Sequence, residues 1–129
     1  MQIFLGKPIA SDALVTKLNQ IRTSNGLSSF QENPQLYLSS GNKACDMSNK
    51  NYWSHTDLEN HKFDWWILQA GYSYYTAGEN LARNFSNDTL LINAWMKSPS
   101  HRDNILSTNY NEVGVGRCGN YVVLHFGSR

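Results

Sequence analysis

Glu112-Val113-Gly114-Val115-Gly116-Arg117-Cys118 and Tyr121-Val122-Val123-Leu124-His125-Phe126 stand near the end of the 129-residue sequence, separated by Gly119-Asn120. Both runs are rich in β-branched and aromatic residues, and a Gly-Asn pair between two such runs reads as a β-hairpin. Gly114 and Gly116 alternate with Val113 and Val115. Glycines on one strand face mean that another part of the molecule approaches the backbone closely. A hairpin cannot bury both faces alone, so the preceding residues must supply the cover.

They supply helices. Ser11 precedes Asp12 and can cap a helix in which Leu14, Val15, Leu18 and Ile21 recur at helical spacing, with Gly26 as the stop. Asn33-Pro34 opens a second helix, with Pro at the first helical position, running to about Lys50. Its face of Leu36, Tyr37, Ser40, Gly41, Ala44 and Cys45 is small enough to let something large pack close. An aromatic-rich loop, Tyr52-Trp53-Ser54-His55-Thr56-Asp57, follows. Phe63, Trp66, Ile67 and Ala70 predict a short third helix ended by Gly71, and Tyr72 to Arg83 predicts a strand or a turn. Asn87 or Asp88 caps a fourth helix carrying Leu90, Leu91, Ala94 and Trp95, stopped at Ser98-Pro99, with a helical turn around residues 100–104. Helices on both sides of a small antiparallel sheet make an α+β fold, a three-layer α-β-α sandwich, and the length suits a single domain over residues 1–129. Leu18, Ile21, Leu36, Leu91, Trp95 and Val123 are the expected core.

Composition removes several functional classes. The net charge is +1, with charged residues at only 16%, so there is no basic excess of the kind that binds nucleic acid. No stretch reaches the ~18 apolar residues of a transmembrane helix. Met1 to Pro8 lacks the charged start and long apolar run of a signal peptide. Cys45 and Cys118, the two cysteines, allow either one disulfide or two buried thiols, and no C-x-x-C metal or redox motif is present.

Local catalytic signatures are also missing: there is no H-E-x-x-H, phosphate-binding loop, G-x-S-x-G or dinucleotide fingerprint. A site has to be assembled from distant segments. The candidates are His55, His61, His101 and His125 with Asp57, Glu59, Glu79, Asp103 and Glu112. Glu79 lies in an otherwise apolar neighbourhood, where an unpaired carboxylate is costly, so it is paired or at a site.

Four segments then occur in a telling order: Tyr52-Trp53-Ser54-His55-Thr56-Asp57; Ala77-Gly78-Glu79-Asn80-Leu81-Ala82; Ser98-Pro99-Ser100-His101-Arg102-Asp103-Asn104-Ile105-Leu106; and Tyr110-Asn111-Glu112-Val113-Gly114-Val115-Gly116. The sequence from about Leu14 to Phe126 resembles the CAP superfamily of cysteine-rich secretory, antigen 5 and pathogenesis-related proteins (SCP-like), in its bacterial branch. That resemblance implies an α-β-α sandwich with a surface cleft. His55 and His101 match the two cleft histidines, which in several members hold a divalent metal, commonly zinc. Glu79 matches the glutamate of the Gly-Glu-Asn motif. The second cleft glutamate of eukaryotic members, a few residues after the fourth-helix Trp, is absent here, and Glu112 is the acid that the bacterial branch offers instead. His61 and His125 match no site residue of the family.

Three functions are compatible with that cleft. One is an exported binding or interaction module at the cell surface or outside the cell, its signal or lipoprotein anchor removed, acting on a surface or host ligand. Another is a metal-dependent hydrolase in which Glu79 acts on a zinc-bound water. The last is a sterol or fatty-acid binding protein that uses the aromatics Trp53, Trp65, Tyr72, Tyr74 and Tyr75 as an apolar groove.

Overall fold

The computed structural model describes residues 12–129. The first helix, α1 (Ala13–Ser24), is capped by Asp12, whose carboxylate accepts the Leu14 N–H at 2.8 Å. Ser11, the cap expected from the sequence, lies outside the described residues. Strand β1 (Gln31–Glu32) leads into α2 (Pro34–Lys50), where the Asn33 side chain accepts from the N–H groups of Gln35 and Leu36. The short α3 (Phe63–Gln69) precedes β2 (Thr76–Arg83). Asn87 caps α4 (Asp88–Lys97), and Pro99 then opens α5 (Pro99–Ile105), a separate helix where the sequence suggested only a turn. Strands β3 (Glu112–Cys118) and β4 (Tyr121–Ser128) form the hairpin, with Gly119 at φ +58° in its turn.

The sheet order is β1-β3-β4-β2. β4 pairs antiparallel with both β2 and β3, while β1 lies parallel to β3. The sequence reading missed β1. It has no alternation to reveal it, and it exists only because Gln31 and Asn33 donate to Asn111 O and Val113 O.

The hairpin's alternation assigns the two faces. Val113, Val115, Leu124 and Phe126 point to one side and pack with Leu14, Val15 and Leu18 of α1, Leu91, Ile92 and Trp95 of α4, and Ile105 of α5. Val123 and Leu81 point to the other side, against Ala44 and Met47 of α2. Helices on both faces complete the three-layer α-β-α sandwich. Five of the six expected core residues are buried, namely Leu18, Leu36, Leu91, Trp95 and Val123. Ile21 is only partly buried, at the margin of its cluster.

The small-residue face of α2 has a different use from the one expected. A Cβ at Gly114 would fall on the main chain of Leu36 and Tyr37, and one at Gly116 on that of Ser40 and Gly41. What packs close is therefore backbone on backbone, with no large side chain between. A disulfide joins Cys45 of α2 to Cys118 at the end of β3. Among the described residues, no helix is long and apolar enough to cross a membrane.

Candidate functional site

Close approach of α2 to the sheet builds a buried polar chain. Gly114 and Glu79 are the strand neighbours of His125 on its two sides. Because Gly114 has no side chain, α2 comes down far enough for Ser39 Oγ to meet His125 Nδ1 at 2.6 Å. His125 Nε2 lies 2.8 Å from Glu79 Oε2. The Ser39 hydroxyl also lies 3.1 Å from Leu36 O; when it turns its proton to the nearer Nδ1 and Nε2–H donates to the carboxylate, a neutral imidazole satisfies both contacts. Burial drives His125 below the usual histidine value, which agrees with that neutral form.

Glu79 is the hub. Its side chain is buried, and Lys43 Nζ reaches both oxygens at 3.3 and 3.4 Å. His55 Nδ1 stands 2.7 Å from Oε1. Burial alone would raise the Glu79 pKa. The hydrogen bonds from His125 and His55, with the charge of Lys43, outweigh it and bring the group down to about 2. Lys43 also donates to the His55 carbonyl at 3.0 Å, fixing the loop as well as the carboxylate. His55 itself is more than half exposed. With Nδ1–H turned to Glu79, its Nε2 is left as the free nitrogen.

His101 comes from α5. Asn80, next to Glu79, donates to the His101 carbonyl at 3.2 Å, and Asn104 donates to Asn80 Oδ1 at 2.9 Å, so β2 positions that helix. Burial, and then the neighbouring His55 charge, hold His101 below the usual histidine value. Its ring lies 6.2 Å from that of Trp95, beside a groove of about 350 Å³ that Trp53, Arg83, Phe85, Trp95 and Ser98 also line.

Of the four cleft residues read from the sequence, His55 and Glu79 are bonded and His101 stands within reach of His55's charge. Glu112 is not bonded to this group. It sits two residues before Gly114 on β3, and its carboxylate is taken by Arg129 at 3.0 Å, Tyr72 Oη at 2.8 Å and Asn33 at 3.2 Å. His61 is structural, its Nδ1 3.0 Å from Asp57 and its ring stacked 3.9 Å from Trp65. Of the aromatics expected to line a groove, Trp53 lines the one beside His101. Tyr72 is buried, Tyr74 donates to Asp64 and Tyr75 is exposed elsewhere.

Sequence reasoning missed Ser39 and Lys43, and named His125 as a candidate only to set it aside. The signal was present for two of them: a Lys on the apolar face of α2, and a His inside the apolar run Val122-Val123-Leu124-His125-Phe126. Each is a polar group that needs a buried partner.

The donor set tests the fit to a metal. Catalytic zinc takes three protein ligands plus water. His55 Nε2 and one nitrogen of His101 can serve. Both oxygens of Glu79 are committed to nitrogen donors, Glu112 is held elsewhere, and among the described residues no group of three or more His, Cys, Asp or Glu is arranged to hold an ion. These residues do not make a catalytic zinc centre, and no hydrolytic step follows from one.

The family model for CAP, the cysteine-rich secretory protein family, matches residues 15–126. The chain belongs to the CAP family. It is 38% identical over 104 residues to the uncharacterized protein YkwD of Bacillus subtilis, and 28% identical over 109 residues to that organism's uncharacterized membrane protein YlbC. The match covers 80% and 84% of this chain but only 40% and 31% of those relatives. Among solved structures, an extracellular protein containing a SCP domain from Bacillus anthracis superposes with a TM-score of 0.86 at 23% identity, over 90% of this chain and 39% of that one. An outer surface protein of Borrelia burgdorferi gives 0.85 at 22% identity, over 97% and 99% of the two chains. These likenesses establish the CAP sandwich. The relatives named are bacterial, and both structural neighbours are described as extracellular or outer-surface proteins.

Proposed function

We propose that this CAP domain works by binding, outside the cell or at its surface, with the groove between Trp53 and Trp95 as the recognition surface and His101 on its wall. The commitment of Glu79 carries the reading. The carboxylate best placed to act as a base is buried, held ionised well below neutral pH, and saturated by Lys43, His55 and His125. It orients His55 and has no lone pair free for a substrate or a water. The Cys45–Cys118 disulfide supports an oxidising location, as do the descriptions of the structural neighbours.

A divalent ion enters this reading only as a two-imidazole contact between His55 and His101. A sterol or fatty-acid ligand is favoured by the apolar wall of Trp53, Phe85 and Trp95. A volume of about 350 Å³ lies at the low end of ordinary ligand sites, ~300–1,000 Å³.

The test uses the purified chain, fluorescently labelled, on intact cells of the source organism and on its isolated envelope. Saturable binding that His101→Ala and Trp53→Ala weaken, with no turnover of ester, peptide or glycoside substrates, supports a binding domain. Turnover abolished by His55→Ala would replace it with a hydrolase.

A further inference from the structure

Strand β2 is an edge strand, and its outer side is closed in an unusual way. Asn84 continues the ladder by donating to Asn120 O, in the register that pairs Arg83 with Tyr121 and Glu79 with His125. In an antiparallel ladder, alternate residues bond the neighbouring strand and those between turn both N–H and C=O away from it. Here the even-numbered residues face β4 and Ala77, Glu79, Leu81 and Arg83 face outward. Side chains cap three of the outward carbonyls in turn. Tyr110 Oη donates to Ala77 O at 3.2 Å, Asn104 Nδ2 to Glu79 O at 3.5 Å, and Trp95 Nε1 to Leu81 O at 3.0 Å. Such caps keep an edge from recruiting another strand. Among the described residues, Arg83 has no such cap, and it lines the groove together with Leu81 and Ala82 of the same strand.

We propose that the end of β2 takes the C-terminus of an extended peptide, its carboxylate on Arg83 and its last, apolar side chain in the groove. The proposal rests on the binding reading above and names the occupant of that site. Because the carbonyls before Arg83 are capped, a second strand can be added over one residue only, which suits the end of a chain and not its middle. At that residue the outward N–H and the guanidinium are donors, and a carboxylate accepts from both. The Arg83 guanidinium lies 4.6 Å from the Trp53 ring centroid, so its charge is held at the groove wall. None of the groove-lining residues among those described is acidic. Trp53 and Phe85, 47% and 42% exposed, flank the space for the terminal side chain. An acyl chain would use the apolar walls and the charge, but would leave the Arg83 carbonyl without the N–H that a peptide brings to it.

The experiment is a titration of the whole chain with N-acetylated tripeptides ending in Phe, Leu or Tyr, as free acids and as C-terminal amides, followed by amide NMR and calorimetry, with laurate as a separate arm. The expected result is that at least one free acid binds and shifts the Arg83 backbone amide and the Trp53 indole. Its amide and the Arg83→Gln variant each weaken binding about tenfold, as loss of a charge-assisted hydrogen bond does, while Arg83→Lys retains part of the affinity. Binding of acid and amide alike, no binding by any of the three acids, or laurate competing more strongly than the peptides overturns the proposal. Failure of the peptides with His101- and Trp53-dependent cell binding intact removes this inference alone. Loss of cell binding as well removes the binding reading.

Discussion

Glu79 shows how a carboxylate that the sequence places among apolar neighbours is satisfied by the fold. Its position between apolar neighbours required partners, and the structure supplies three nitrogen donors that leave it no free lone pair to use on a substrate. This has a consequence for acid stability. The folded pKa of about 2 lies below the ordinary 4.5, so the unfolded chain binds the proton first as pH falls. The stabilisation is complete above pH 4.5 and disappears as pH falls toward 2. A shift of that size corresponds to roughly 3 kcal/mol. His125 is lowered from 6.5 and acts in the same direction at higher pH, since the unfolded chain takes up that proton once pH drops below about 6.5. Denaturant midpoints measured from pH 7.5 to 2.5 should fall in two stages. His125→Gln should shrink the upper stage to the part that His101, also lowered, contributes, and should move the lower stage to higher pH, because the His125 hydrogen bond is one of those that hold Glu79 down. The His55–His101 pair is tested at the same scale by titrating zinc at pH 7.5. We expect no rise in melting temperature, because two imidazoles without a third protein ligand hold an ion weakly. A strong rise that His101→Ala removes would show that another ligand completes the site.

At the scale of elements, the decisive contact is α2 on β3, where glycines at Gly114 and Gly116 let two backbones touch. The sequence announced a close approach at these positions, and only the fold shows that α2 makes it. Gly114→Ala must displace main chain, because the added Cβ meets the Leu36 and Tyr37 backbone and has no flexible side chain to push aside. Its cost should reach the top of the ~1–3 kcal/mol range of overpacked cores. It should also disturb the His55 resonances by lifting Ser39 from His125, and a chemical denaturation curve with a histidine NMR spectrum reads both. On the other face, Trp95 is 2% exposed and caps Leu81 O through Nε1. Trp95→Ala should cost roughly 3–5 kcal/mol, and a loss below about 1 kcal/mol would contradict that burial. Arg117 ties these elements together from outside, pairing with Asp12 at the start of α1 and Asp88 at the start of α4.

For the whole molecule, the Cys45–Cys118 disulfide closes a span of 73 residues from α2 to the end of β3. A loop of that length restricts the unfolded chain by about 4 kcal/mol in the chain-entropy treatment. Reduction, or Cys45→Ser with Cys118→Ser, should lower the unfolding free energy by that order while leaving the fold intact, because the two cores on either side of the sheet do not depend on the bond. Unfolding on reduction alone would mean that the cores are weaker than their burial implies. Periodicity, capping residues and turn chemistry are local properties, so the sequence by itself determined the helices, the hairpin, most of the core and the ordered motifs that mark the CAP family. His55, Glu79 and His101 were readable because they lie in those motifs. Tertiary structure alone decided the rest. β1 exists only as a partner of β3. Lys43, Ser39 and His125 become a chain through Glu79 only when α2 settles on Gly114. Glu112 is drawn to Arg129, 17 residues away, and not to the cleft. The physical reason is common to all three: hydrogen bonds and ion pairs between distant segments depend on distances that no local pattern encodes, and the packing of α2 against β3 sets those distances.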